Sequence, residues 1–421
     1  MLFLNVLRII GSECKVCVGG RQSKWTYYLP MIKTDLLIIG ASFAGLACAR
    51  QAAKAGLSVT VVEKKSTSGA KLHTTGILVK EAVDEVPWLQ DTPSHLYRPI
   101  EGVRLYAPNM NAVDLRAPGY FFWATETPGL LNWMVEDVRA LGVRVLTSTL
   151  FETAKYTSDC LWHVPLQSRK AGGYEPHHEV QARYLVGADG PMSRVARALG
   201  FSRNTEFLFG IEHEYADVDL DPDFLHCFID RRLATGYIGW ALATQGYSQI
   251  GLAKRLPSLR QDEHYVRHIE HAHGSGHIYF DQFIEKISSV VKIRSDLIGV
   301  RAGMIPCGGT LNRISCPQAM LVGDAAGTVS PVTAGGIRSA LTCGEKAGVA
   351  VADYLHGRAQ DPAQWLVRAY PRYRGKRLLR QCFDRWQSDW LFNQVLATSA
   401  FQRVAQQVYF HRKGHAAKAA S

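Results

Sequence analysis

The segment LLIIGASFAGLACA, residues 36–49, constrains the fold more than any other part of the chain. Its first residues form a nearly continuous apolar run, which is typical of a buried parallel strand. A Gly-x-Ser-x-x-Gly turn follows, and small residues at helical spacing predict a helix from Phe43 to about Ala55. The free amides at the N-terminus of such a helix favour a pyrophosphate, so the turn indicates a dinucleotide site.

A second strand, SVTVV at 58–62, strengthens this interpretation, because it ends at an acidic residue. Glu63 follows Gly45 by 18 residues, close to the spacing of about 20 at which a carboxylate binds a ribose hydroxyl. Ser42 stands where glycine is usual, but its side chain is small and its hydroxyl can donate to a phosphate. The predicted binding residues of this first segment are Gly40, Ser42, Phe43, Ala44, Gly45 and Glu63.

Two later stretches repeat the strand, turn and helix pattern: RYLVGADGPMSRVARALG at 183–200 and AMLVGDAAGTVSPVTAGGIRSALTCGEKAG at 319–348. In the second stretch, Asp324 ends a buried strand and is placed to accept a hydrogen bond from a ribitol hydroxyl. The small residues through Gly327 let a long cofactor pass the backbone. Gly335 and Gly336 precede a helix predicted from Ile337, whose amides we expect to face the pyrimidine edge of a flavin.

Together these three segments resemble the FAD-dependent oxidoreductases of the aromatic-hydroxylase (p-hydroxybenzoate hydroxylase-like) superfamily, and especially their geranylgeranyl reductase-like branch. The resemblance covers most of residues 31 to about 380. It implies an α/β fold: a Rossmann-like FAD-binding domain, split in sequence, with an inserted mixed β-sheet substrate domain and a helical C-terminal tail. Residue by residue, it implies FAD contacts for Gly40, Ser42, Gly45, Glu63, Lys71, Asp189, Gly190, Asp324, Gly335, Gly336 and Ile337.

The domain boundaries follow from this pattern. We expect residues 1–30 to be a leader, and the FAD-binding domain to be built from 31–82, 118–204 and 299–355. The substrate domain is expected to comprise 83–117 and 205–298, and a basic helical region 356–421. In that region, Pro371 interrupts the helical spacing of apolar residues and predicts two helices docking on the body.

Composition narrows the function. The chain has 421 residues, 47% of them hydrophobic and 20% charged, as in an ordinary globular protein, and a net charge of +11. From residue 361 onward, eleven Lys and Arg face three Asp, so this end attracts anionic lipid headgroups or a phosphorylated substrate, unless it is simply a solvated face. We expect a cytoplasmic protein whose scattered cysteines are reduced, and contact with a membrane surface is left open. We expect neither a metal site nor a nucleic-acid partner.

The sequence leaves three hypotheses open for the reaction. In the first, reduced FAD delivers hydride to a C=C bond of an isoprenoid or similar apolar small molecule; in the second, it reacts with oxygen and hydroxylates a small aromatic compound. The third is a flavin-holding protein without redox turnover. The electron donor, NAD(P)H or a ferredoxin, and the oligomeric state are left open.

Three further residues are candidates for the substrate side. His73 lies in SGAKLHTTGIL, the segment expected to approach the flavin, and is the candidate residue to donate a proton or to orient a substrate. Tyr237 and Trp240 are expected to line an apolar cavity above the flavin. By contrast, the EHE sequence at 212–214 is interpreted as surface or turn.

Overall fold

The computed structural model describes residues 31–72, 74–170, 173–258, 279–386 and 388–410. The predicted leader and His73 lie outside these residues. In the described part, the strands are β1 (Met31–Ile39), β2 (Val59–Val62), β3 (Ile77–Val79), β4 (Tyr97–Ile100), β5 (Gly102–Tyr106), β6 (Ala112–Arg116), β7 (Phe122–Thr125), β8 (Arg144–Leu146), β9 (Thr149–Phe151), β10 (Lys155–Tyr156), β11 (Trp162–Lys170), β12 (Gly173–Gly187), β13 (Phe207–Tyr215), β14 (Val218–Asp219), β15 (Phe224–Phe228), β16 (Gly239–Ala243), β17 (Ser248–Arg255), β18 (Lys292–Ile293), β19 (Leu297–Pro306), β20 (Ser315–Cys316) and β21 (Ala319–Leu321).

The helices of the same residues are α1 (Phe43–Lys54), α2 (Lys80–Glu85), α3 (Thr127–Ala140), α4 (Arg194–Ala198), α5 (279–287), α6 (Ile337–Leu355), α7 (Pro362–Trp365), α8 (Arg374–Trp386), α9 (Asp389–Val395) and α10 (Ser399–Phe410). Short 3₁₀ turns lie at Pro87–Asp91, Ser94–Leu96, Gly323–Ala326 and Leu366–Ala369. The α/β fold expected from the sequence is confirmed.

A nine-stranded mixed sheet carries the three predicted cofactor segments. Its parallel part runs in the order β21-β12-β1-β2-β8, and β11 adds to β12 in the antiparallel sense. The strands β1, β12 and β21 come from distant parts of the chain and lie side by side, so their carboxyl ends meet at one edge of the sheet. Ligands of such sheets bind at that edge, where strand order reverses.

Helices α1 and α6 pack against each other unusually closely. A Cβ atom on Gly344 would lie 2.3 Å from the carbonyl oxygen of Ala44, and one on Gly348 would lie 2.3 Å from that of Cys48. Both glycines therefore let the two backbones touch. This contact fixes the N-terminus of α6 beside the turn that starts α1.

A second, seven-stranded sheet is ordered β19-β13-β17-β16-β15-β5-β6 and has its own core of aromatic and aliphatic residues. It joins β5 and β6 to strands that all lie beyond residue 206, which is the arrangement predicted for an inserted substrate domain. The predicted boundary at residue 299 falls inside β19, which pairs along its length with β13. We therefore propose that this domain extends to Pro306.

The C-terminal region is helical as expected as far as the structure describes it, to Phe410, and there it forms four short helices rather than two. Helices α7 to α10 follow one another with breaks, and Leu366 and Tyr370 are buried between the first two. Pro371 lies in the break between α7 and α8. Within the residues that the structure describes, none of the helices combines the length and the apolar character needed to span a bilayer.

Candidate functional site

A cavity of about 1360 Å³ lies between the two large sheets. Gly40 and Glu63 line it from the nine-stranded sheet, and Glu212 and Trp240 line it from the seven-stranded sheet. The cavity exceeds the range of roughly 300–1000 Å³ usual for ligand pockets. It therefore has room for a long cofactor and a second molecule.

The turn between β1 and α1 is shaped by glycines with no room for side chains. Gly40 has φ +108°, and a Cβ there would lie 2.3 Å from the carbonyl oxygen of Ala188. A Cβ on Gly45 would lie 1.9 Å from the oxygen of Gly40. Ser42 caps α1 from an extended conformation, and its hydroxyl makes no capping hydrogen bond, so the helix amides stay open toward the cavity.

Glu63 ties the end of β2 to this turn. Its carboxylate accepts hydrogen bonds from the backbone amides of Ala41 and Lys65, each at 2.9 Å. A carboxylate has about four acceptor positions, so two remain for a ribose hydroxyl. The side chain thus stabilises the turn and still has acceptor positions for the predicted ligand.

The Asp-Gly pair at 189–190 contributes mainly through its backbone. The Asp189 carboxylate accepts from the Ser193 hydroxyl at 2.6 Å and from the amides of Arg194 and Val195 at 2.6 and 3.1 Å, so it caps α4. Burial raises the pKa of this carboxyl, partly offset by these bonds. Gly190 has φ +82° with open space around it, and both residues line the cavity.

Asp324 stands differently, because its carboxylate faces the cavity without a hydrogen bond from the described residues. Its backbone carbonyl is held by the Asn204 side chain at 2.9 Å, but burial alone acts on its carboxyl and raises the pKa to about 6. A hydroxyl donor in the cavity would stabilise the ionised form. Gly327, at φ +72°, ends the turn after Asp324 and packs on Gly309 instead of lining the cavity.

The N-terminus of α6 lies next to this carboxylate. A Cβ on Gly336 would lie 3.3 Å from Asp324 Oδ1 and 3.0 Å from Val329. Gly335, Gly336 and Ile337 all line the cavity. Because α6 is 19 residues long, its first amides present a positive partial charge to whatever binds there.

A buried polar cluster on β13 was not expected from the sequence. Glu212 and His213 are buried in the middle of a strand, so the interpretation of residues 212–214 as surface or turn is wrong. Glu212 Oε2 accepts from the Thr75 hydroxyl at 2.6 Å and from the Trp240 indole at 2.8 Å. The apolar run FLFGI before these residues is the one sequence signal that could have indicated a buried strand.

The second oxygen of Glu212 has no hydrogen-bond partner in the described part of the chain. The Arg301 guanidinium lies 3.9 Å from it and also donates to the carbonyl of Thr74 at 3.0 Å. Burial raises the pKa of Glu212, and Arg301 partly offsets this. Thr74 and Thr75 belong to the segment expected to approach the flavin. Glu212 therefore joins this segment to the seven-stranded sheet.

The remaining candidate residues differ in whether they line the cavity. Tyr237 and Trp240 both line the cavity, and the Tyr237 hydroxyl donates to the carbonyl of Thr333 at 2.6 Å. Lys71 does not line it: the residue has φ +46° in a bend and its side chain is exposed, so the prediction of a cofactor contact is not supported by its position. His73, two residues after Lys71 in the chain, lies outside the described residues.

These features fit FAD. The glycine turn leaves space that a Cβ would fill, two helix N-termini open on the cavity, and Asp324 is a buried acceptor in need of a donor. The N-terminus of α1 would hold the pyrophosphate, Glu63 the adenosine ribose and Asp324 the ribitol, with the start of α6 beside the ring. When bound, FAD supplies two-electron hydride chemistry, and the protein orients it and excludes water.

Comparisons with known proteins agree. Residues 33–287 match the family described as FAD binding domain. Digeranylgeranylglycerophospholipid reductase 3 of Methanosphaera stadtmanae is 26% identical over 356 residues, which span 79% of this chain and 82% of that protein.

Solved structures share the fold. A geranylgeranyl bacteriochlorophyll reductase-like protein from Thermoplasma acidophilum has a TM-score of 0.73 at 20% identity, covering 91% of this chain and 98% of that one. The p-nitrophenol 4-monooxygenase of Pseudomonas putida has a TM-score of 0.63 at 13% identity, covering 90% and 98%. The sequence prediction of a reductase-like flavoprotein is confirmed, and the chain belongs to the FAD binding domain family as an FAD-dependent oxidoreductase.

Proposed function

We propose that this enzyme reduces C=C bonds of an isoprenoid or similar apolar molecule. The observation that carries the proposal is the second half of the cavity, beyond the start of α6. Its wall includes apolar and aromatic side chains from β3 and β7, from the seven-stranded sheet and the residues just before β16, and from α10. These are Ile77, Phe122, Leu225, Tyr237, Ile238, Trp240 and Val408. The relatives that are named as reductases of digeranylgeranyl lipids support the same substrate class.

The reaction needs a hydride at one carbon of the double bond and a proton at the other. We propose that Glu212 holds this proton. It is buried in the cavity wall, burial raises its pKa, and its Oε1 is unpartnered among the described residues. Thr75 and Trp240 would keep the carboxyl in place through Oε2. His73 stays an alternative proton donor, and NAD(P)H or a ferredoxin is proposed to supply the electrons.

The test uses FAD-loaded protein reduced by dithionite without oxygen and then mixed with a geranylgeranyl compound in detergent. We expect the yellow colour to return and the product to carry two more hydrogen atoms. We expect Glu212→Gln to slow this return by about 100-fold while leaving FAD bound. Colour that returns only with oxygen, together with a hydroxylated product, would establish a monooxygenase instead. A flavin that no donor reduces would make the protein a flavin holder.

We also propose that helices α8 to α10 rest on an anionic membrane surface. They expose large apolar side chains, with Leu378 64% exposed, Leu379 52% and Trp390 71%, among basic residues of α8 such as Arg374 and Arg385. Apolar and basic side chains together are what an interfacial helix needs. Residues of α8 and α10 also line the cavity, so a lipid would have a short path into it.

A further inference from the structure

Arg380 of α8 is an arginine that the protein itself leaves partly unsatisfied. The residue is only 4% exposed, and it lines the cavity. Its Nε lies 3.0 Å from Asp384 Oδ1, but its Nη2 has no hydrogen-bond partner in the described part of the chain. A buried guanidinium nitrogen without an acceptor, in a residue that lines a cavity, is costly unless a ligand accepts from it.

Within the described part of the chain, the ion pairs around Arg380 balance its charge but leave no negative charge for a further cation nearby. Among the described residues, Asp384 is the one carboxylate that pairs with Arg380, and it is shared with Arg255, whose Nε lies 3.5 Å away and which also pairs with Glu206. These two arginines and two acids balance. Lys376, one helical turn earlier, adds a further positive charge.

Lys376 also lines the cavity, and no carboxylate of the described residues lies within ion-pair distance of it. Its ammonium lies 3.5 Å from the Ser330 hydroxyl and 5.6 Å from the centre of the Tyr373 ring. Burial and the nearby Arg338 lower the pKa of Lys376. An anion between Lys376 and Arg380 would reverse that effect.

The backbone at Gly236 packs closely against Arg380, so a ligand must reach the guanidinium from the cavity that Arg380 lines. Gly236 has φ +72°, and a Cβ there would lie 3.1 Å from Arg380 Nη2. The next residue, Tyr237, belongs to the apolar wall of the cavity. A charged end and an apolar wall therefore adjoin within one cavity.

We propose that Arg380 and Lys376 form a subsite for a phosphate group on the substrate, so that the enzyme takes prenyl compounds by their anionic end. The proposal rests on the function proposed above, because it assumes that the apolar wall holds the prenyl chain. Arg380 supplies planar donors suited to phosphate oxygens, and Lys376 supplies a mobile charge. Both are binding residues in this scheme and take no part in bond making.

The experiment measures binding separately from reduction. FAD-loaded protein is titrated with geranylgeranyl phosphate and with geranylgeraniol, which share the chain and differ in the anion. We expect Arg380→Gln and Lys376→Gln each to weaken binding of the phosphate roughly 10- to 100-fold and to leave the alcohol unchanged. Arg385→Gln, the same change at an exposed position of α8, serves as the matched control. Inorganic phosphate should compete with the phosphate ester only.

Other outcomes are equally clear. Equal weakening for both compounds, or none for either, would overturn the subsite while leaving reduction of prenyl chains untouched. A change in FAD affinity or in flavin reduction potential without a change in phosphate binding would assign Arg380 to the flavin ring instead. If neither compound binds the wild type, the proposed function itself fails. Arg380→Lys keeps the charge beside Asp384 and should retain part of the preference for phosphate, which separates binding from misfolding.

Discussion

At the scale of single residues, Asp324 illustrates opposing demands of folding and binding. Its carboxylate has no donor within the described part of the protein, and burial raises its pKa from an ordinary 3.8 to about 6. The folded flavin-free protein thus binds a proton more tightly than the unfolded chain does. Between these two pKa values, stability falls as the pH rises, because ionising the buried group costs free energy.

We expect Asp324→Asn to stabilise the flavin-free protein at pH 8 by up to about 2 kcal/mol, with the gain disappearing as the pH falls toward 4. The same variant should bind FAD about tenfold more weakly, since a charged acceptor is lost. Urea unfolding across this pH range and flavin titration measure the two effects. Exposed Asp296→Asn is the control, and a stability gain that is independent of pH would contradict the explanation.

At the scale of elements, the crossing of α1 and α6 decides where two helix N-termini point. Gly344 and Gly348 lie one turn apart on α6 and face the backbone carbonyls of Ala44 and Cys48. Because the backbones touch, even a methyl group on α6 must push the helices apart. The start of α6 at Gly336 would then move away from Asp324.

We therefore expect Gly344→Ala to destabilise the protein by roughly 1–3 kcal/mol, although alanine is the better helix former. FAD binding should weaken with it. Gly375→Ala in α8 is the matched control, because a Cβ there meets nothing within 4 Å and the change should stabilise by up to about 1 kcal/mol. Thermal unfolding of both variants decides; a stabilised Gly344→Ala protein would show that the contact has slack.

At the scale of the whole molecule, the seven-stranded sheet and the C-terminal helices both border the cavity. The two large sheets enclose the cavity, and α8 and α10 line one end of it. The same helices expose the apolar residues proposed to meet a membrane. Burying such side chains in lipid and placing the nearby arginines at anionic headgroups would favour one orientation of the protein.

We expect the protein to sediment with vesicles that contain anionic lipid and to be released as salt rises. Replacing Leu378 and Leu379 together with glutamine should weaken this binding at least about tenfold, because each leucine contributes about 1.5–3 kcal/mol when buried. Replacing Ile298 and Val300, which are comparably exposed on β19, should have no effect. Equal loss in both double variants, or binding to neutral vesicles alone, would argue against this surface.

Local sequence rules predicted the strands, turns and helix starts of the proposed cofactor side well. Gly40, Gly45 and Glu63 lie where strand, turn and acid spacing put them, and the helix predicted from Ile337 begins there. These features depend on neighbours in the chain. The same rules misplaced residues 212–214, since charged residues inside a strand look exposed until their partners are known.

The sequence by itself determined the α/β class and the local structure of the segments proposed to hold the flavin, because turns, helix starts and buried strands are local and use few residue types. Only the tertiary structure decided the substrate side. Hydrogen bonds from Thr75 and Trp240 position Glu212. Burial beside Gly236 and Asp384 leaves a nitrogen of Arg380 without an acceptor among the described residues. The contacts of Glu212 with Thr75 and of Arg380 with Gly236 join residues more than a hundred positions apart, and the burial that gives these groups their charge properties exists only after the sheets have packed.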